Sequence, residues 1–150
     1  MNVVELALSH VGVRETPKGS NSGPVVDTFT GGRPEPWCAH FVAKVFRDCG
    51  RTIPGDVVPT PKRANPLASV SHLERVIAEH GWAVREPQVG DIVFYKTRGK
   101  SDAGPGRHVG IVVAVNATHF ETAEGNWGDV VAHRTVSRAD PTISGFGRVP

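Results

Sequence analysis

Cysteine is scarce in this chain: its 150 residues hold two, Cys38 and Cys49. Apolar spacing puts both on one helix, eleven residues apart, which separates their Cα atoms by roughly 16 Å at 1.5 Å per residue. A disulfide needs about 7 Å or less, so two free thiols are expected, Cys49 as a buried structural cysteine. Long apolar runs are absent, and with them any membrane span. Charge of one sign is absent too. The 17 Lys and Arg residues nearly balance 15 Asp and Glu, giving +2, and the basic residues are scattered apart from Lys96-Thr97-Arg98-Gly99-Lys100. That balance gives no footprint for nucleic acid. The start, Met1-Asn2-Val3-Val4-Glu5, lacks the basic segment and unbroken apolar stretch of a secretory signal. Synthesis in the cytoplasm without a signal peptide is expected, with delivery by another route if the substrate lies outside. No internal repeat is visible, and no Cys/His spacing reads as a zinc site. No metal and no cofactor are expected.

What is present suits one globular domain over 1–150, of the α+β class and rich in loops, with 17 glycines and 12 prolines. Helical spacing predicts a helix over 2–11, capped by Asn2, and a helical turn over 25–29. A helix over about 37–48 follows, with Cys38, Phe41, Val42, Val45, Phe46 and Cys49 on its apolar face. Ser71-His72-Leu73-Glu74 reads as the capping box of another helix, ended by Gly81, with Asn65-Pro66 as an alternative earlier start. Strand periodicity then predicts segments over 82–85, 91–95, 108–115, 118–124, 129–136 and 145–149, with Asn116-Ala117 as a tight connection. Residues 96–107 read as a mobile loop. Helices first and consecutive antiparallel strands after them imply helices packed on one sheet, with a cysteine helix and histidine strand arranged as in papain.

Trp37-Cys38-Ala39-His40-Phe41-Val42 puts a thiol in the first turn of its helix, where unpaired N–H groups and the helix dipole favour the thiolate. Arg107-His108-Val109-Gly110-Ile111-Val112 opens a strand with a histidine able to take that thiol's proton. Glu124 and Asn126, in Glu124-Gly125-Asn126-Trp127, lie two residues apart and share one face of an extended chain, where either could orient the imidazole. Nucleophile, base and orienter make a set suited to cleaving an amide. Among the other histidines, His40 lies about 200° around the helix from Cys38 and points away, and His133 is the only serious rival to His108. Gly110 is expected to leave room for the cysteine helix. Asp91 reads as a strand start, and Trp127 as either a groove residue or a core cap.

Glu5 through Phe29, Pro36-Trp37-Cys38-Ala39-His40-Phe41-Val42, Val89-Gly90-Asp91-Ile92-Val93-Phe94-Tyr95, His108-Val109-Gly110-Ile111-Val112 and Glu124-Gly125-Asn126-Trp127 together resemble the CHAP family. These are cysteine, histidine-dependent amidohydrolases/peptidases of the wider NlpC/P60-like, papain-type group. The resemblance implies a peptidoglycan substrate, cut at the N-acetylmuramoyl–L-alanine amide or at a peptide bond. It also implies Cys38 as nucleophile, His108 as base and then acid, Glu124 as holder of the imidazole, and Asn126 as a further polar member. A monomeric phage lysin, released to the wall through a holin pore, is the leading expectation. A wall-degrading toxin delivered by a secretion system is the alternative enzyme. A non-catalytic wall-binding or virion protein is a third reading, against which the intact Cys-His-Glu-Asn set argues. Some phage members bind calcium ahead of the cysteine; here residues 27–36 hold only Asp27 and Glu35 as carboxylates.

Overall fold

A computed structural model describes residues 1–98 and 106–150; most of the loop expected over 96–107 lies outside the described residues. The described elements are helices α1 (Val3–Ser9), α2 (Val26–Thr30), α3 (Cys38–Asp48) and α4 (Val70–Glu79), then six strands. A 3-10 turn, Pro66–Ala68, precedes α4. The strands are β1 (Ala83–Val84), β2 (Ile92–Tyr95), β3 (His108–Val115), β4 (His119–Trp127), β5 (Val130–Ser137) and β6 (Ile143–Gly147). The class is α+β, as expected, and every strand pairing is antiparallel. Sheet order is β1-β6-β2-β3-β4-β5. Strands β2 to β5 follow one another as predicted, but β6 returns to insert between β1 and β2.

Local chemistry explains the helix starts. Asn2 caps α1 by accepting from the Glu5 N–H at 2.8 Å, and Gly12 turns the chain after it at φ 95°. The cap of α4 is Ser69, which accepts from the His72 N–H at 3.2 Å, and not the predicted Ser71. Asn65 and Pro66, the early start that the sequence offered, begin a separate 3-10 turn, leaving Ser69 in the extended conformation that a cap requires. Glu74, freed from capping, pairs with Arg107 at 2.5 Å and accepts from the Ser144 hydroxyl at 2.8 Å.

Two apolar layers result. The helices cover one face of the sheet, packing Phe41, Val42, Val45, Leu73 and Ile77 with Ile92, Phe94, Val109, Ile111 and Ala123. The alternate residues of the same strands, Val93, Tyr95, Val112, Phe120, Val136 and Phe146, form a smaller core on the other face. Phe120 of β4 and Phe146 of β6 meet edge to face with ring centroids 5.5 Å apart, although two strands separate them. At about 4.8 Å per strand a flat sheet would hold them much farther apart. The sheet therefore curls tightly around this second face.

Cys49 is not the buried core cysteine expected. Helix α3 ends at Asp48, so Cys49 caps it at the rim of the fold, half-buried, with its thiol 3.6 Å from the Met1 carbonyl oxygen. Both cysteines are free thiols.

Candidate active site

Cys38 is the first residue of α3, and the residue before it is held firmly. Trp37 is buried, stacks on Phe29 with centroids 5.7 Å apart, and donates from Nε1 to Glu15 at 3.0 Å. Trp37 supplies no capping side chain to α3. The first N–H groups of the helix are thus left for whatever negative charge arrives there, and the Ala39 N–H is directed at the Cys38 sulfur.

His108 is the first residue of β3 and alternates onto the second face of the sheet, opposite Tyr95 on β2. It is fully buried. Its ring stacks on Tyr95 at 5.7 Å and lies against Trp127 at 5.2 Å. Nε2 lies 2.9 Å from Glu124 Oε1; a carboxylate only accepts, so Nε2 carries the proton. Nδ1 makes no ordinary hydrogen bond to any described residue, and the Cys38 thiol is the titrating group coupled to the ring on its other side. Catalytic contacts in unliganded enzymes are commonly longer than they become once substrate binds.

Glu124 accepts four bonds in full burial. His108 and Arg134 Nη1 (2.5 Å) meet Oε1, while the Tyr95 hydroxyl (2.6 Å) and the Thr122 hydroxyl (2.9 Å) meet Oε2. The Arg134 guanidinium lies 3.5 Å over the Trp127 ring, which fixes it in place by a cation–π contact. Gly110 stands opposite this carboxylate. A Cβ there would lie 2.5 Å from Glu124 Cγ, so Gly110 makes room for Glu124 and not for the cysteine helix. That helix is accommodated by Gly125, where a Cβ would lie 2.7 Å from Phe41 Cβ.

Asn126 does not share the Glu124 face in the way predicted. The β4–β5 register shifts between Glu124 and Trp127, and Asn126 adopts φ 57°, which breaks the alternation of an extended chain. Its Oδ1 is buried with no hydrogen-bond partner among the described residues. His133, the rival base, pairs instead with Glu121 at 2.9 Å, both side chains exposed. Asp91 accepts two bonds from Arg148, both at 2.9 Å, in a structural clamp. Tyr95 and Arg134 were missed from sequence because only strand pairing brings them to Glu124, while Thr122 reaches it from two residues earlier on the same strand.

The electrostatics favour separated charges. Burial resists the Cys38 thiolate, yet the neighbouring His108, the Arg98 charge and the Ala39 N–H outweigh it and hold the thiol below its usual range. Burial likewise resists the imidazolium, but contacts with Cys38 and Glu124 raise His108 to about 9. Glu124 is lowered to about 2, burial being overcome by His108, Arg134 and Tyr95. Tyr95 is raised well above its ordinary value by burial and by the Glu124 charge, so it remains a neutral donor. The arrangement supports a thiolate–imidazolium pair backed by a carboxylate. Cys38 opens into a groove of about 540 Å³ lined also by Glu35, Asn65, Ser69, Arg98 and Arg107.

A thiol, an imidazole and a buried carboxylate in this relation form a candidate nucleophile, base and orienter. Residues 30–126 match the family model of the CHAP domain, and the chain belongs to this family of cysteine, histidine-dependent amidohydrolases/peptidases. The family's general activity is hydrolysis of peptidoglycan as an amidase or peptidase. Searches of curated proteins and of solved structures return no significant match.

Proposed function

We propose that this chain is a peptidoglycan hydrolase that cuts an amide bond through Cys38, as an N-acetylmuramoyl-L-alanine amidase or a peptidoglycan endopeptidase. The observation that carries this reading is the thiol at the start of α3, coupled to an imidazole whose far nitrogen is held by Glu124. The Cys38 thiolate attacks the carbonyl carbon, and the negative charge moves to the carbonyl oxygen beside the N–H groups at the helix start. The tetrahedral adduct collapses, and the His108 imidazolium gives its proton to the departing amine. A thioester on Cys38 remains. Neutral His108 then takes a proton from water as that water attacks the thioester, releasing the carboxylic acid and restoring the ion pair. Glu124 keeps the imidazole in one orientation and stabilises its cation throughout.

The fold fits a papain-like, NlpC/P60-type enzyme: a nucleophile on a helix start and a base on the first long strand. In this reading residues 1–150 form one catalytic domain acting as a monomer. The working context is phage lysis, with release through a holin pore to the cell wall. No helix among the described residues is long and apolar enough to cross a membrane.

Digestion of purified peptidoglycan of several chemotypes, followed by mass spectrometry of the soluble products, tests the proposal. An amidase releases free stem peptides and leaves the lactyl carboxylate on the glycan; an endopeptidase creates new termini within the peptide. Folded protein that releases neither from any chemotype would overturn the reading.

A further inference from the structure

His40 is buried two residues beyond the nucleophile, and the reaction above gives it no task. Its Nε2 lies 2.7 Å from Glu35 Oε1, and since that oxygen only accepts, Nε2 carries the proton. Its Nδ1 is buried with no hydrogen-bond partner among the described residues. A second proton on this ring would therefore bury an N–H without an acceptor, which is costly. Burial is also the largest influence on His40 and holds its pKa below the ordinary value, ahead of the opposing effect of Glu35. His40 is thus a neutral donor. It fixes Glu35 without cancelling its charge.

Glu35 lines the groove beside Cys38. Arg33 reaches the same Oε1 at 3.4 Å while also donating to the Thr60 and Pro61 carbonyls. Oε2 has no hydrogen-bond partner among the described residues, in a side chain that stays about one-third exposed, at 32%. Among the described residues lining the groove Glu35 is the one carboxylate, and of the two arginines there Arg107 is held by Glu74.

We infer that Glu35, positioned by His40, is a specificity residue that receives a primary ammonium group of the substrate peptide. The inference rests on the proposed peptidoglycan activity and narrows its substrate class to stems whose diamino acid keeps a free amine. A carboxylate pre-oriented by a neutral donor, with Arg33 no nearer than 3.4 Å and on the same oxygen, keeps Oε2 open to an ammonium group, and acetylation of that amine removes the attraction.

The test uses the full chain carrying Cys38→Ala, so that binding is read without turnover. Calorimetry compares soluble stem peptides bearing a free side-chain amine with the same peptides N-acetylated. The free-amine peptide is expected to bind at least about tenfold more tightly. Glu35→Gln, which keeps an oxygen for His40 to bond, is expected to abolish the difference, and Glu35→Lys to reverse it; circular dichroism verifies that each variant is folded. Equal affinities, no binding of either peptide, or a preference that survives Glu35→Gln would overturn the inference. Hydrolysis by the unmodified chain, measured in parallel, separates the two claims. Turnover without amine preference sinks only the specificity assignment; amine preference without turnover of any wall sinks only the hydrolase reading.

Discussion

His108 Nε2 and Glu124 Oε1 lie 2.9 Å apart with both side chains fully buried. The carboxylate reaches this position across two strands, β3 and β4, and only because Gly110 has no side chain to occupy the space. Four donors share its two oxygens, so its charge is spread over a prepared set of partners before any substrate arrives. A buried ion pair so completely satisfied is expected to specify geometry more than to add stability.

Replacing Cys38 by Ser should reduce hydrolysis on the order of 10³-fold or more, since a hydroxyl lacks the thiolate's acidity and nucleophilicity. Cys49→Ser should keep activity within a factor of about two and cost less than about 1 kcal/mol, because that thiol lies half-buried at a helix end. Rates of muropeptide release and thermal melts of both variants decide this; comparable inactivation by the two would contradict the assignment.

The ion pair fixes the pH response. Activity requires the Cys38 thiolate and the His108 imidazolium, so kcat/KM should rise as the lowered thiol deprotonates and fall as His108 titrates near 9. Stability follows a different window. His108 is raised from 6.5 to about 9, so its contribution is complete below 6.5 and lost as pH rises through about 9. Glu124 is lowered from 4.5 to about 2, so its contribution is present above 4.5 and lost as pH falls through about 2. Melting temperatures measured across pH should plateau between those inner values and decline on both sides.

Arg134→Met should lose a charge-assisted bond to Glu124 and the contact over Trp127, costing about 1–3 kcal/mol. With that cation gone, the carboxylate pKa rises, and the acid side of the stability profile moves upward. Tyr95→Phe removes one neutral donor and should cost about 1 kcal/mol with a smaller acid-side change. Chemical denaturation at several pH values distinguishes the two; an unchanged acid limb in Arg134→Met would show that Glu124 does not depend on it.

The two close-packed glycines should fail differently. Gly110→Ala drives a methyl into Glu124 and should cut activity steeply while Cys38 still reacts with iodoacetamide. Gly125→Ala presses on Phe41 and should lower stability by about 1–3 kcal/mol, as overpacking does. Alkylation rates resolved by peptide mapping, together with melts, read both effects. In the unmodified chain Cys38 should be labelled faster than the more exposed Cys49, because thiolate fraction governs the rate.

Cys38, His108 and Glu124 were legible in the sequence because each sits where a local signal is strong: a helix start, a strand start, a strand interior. The strand boundaries followed from periodicity for the same reason. What escaped depends on partners distant in the chain. Arg134 reaches Glu124 only through the β4–β5 ladder, and the insertion of β6 beside β2 is a long-range pairing that no local pattern encodes. Asn126 escaped for the opposite reason, since a register shift and a left-handed backbone overrode an alternation that looked regular. Ser71 matched the capping pattern, although the 3-10 turn ahead of the helix put the cap at Ser69.

The curl that brings Phe120 against Phe146 has a consequence for how the molecule fails. The nucleophile is anchored in the helix-side core, and the imidazole and its carboxylate in the smaller one. Their alignment is a relation between two bodies of packing, not a property of either. Gentle warming or low denaturant that loosens the smaller core would let the base drift from the sulfur while the helices stay folded. Loss of turnover would then precede loss of helical signal, and a cavity cut at Phe120 would widen the interval between them.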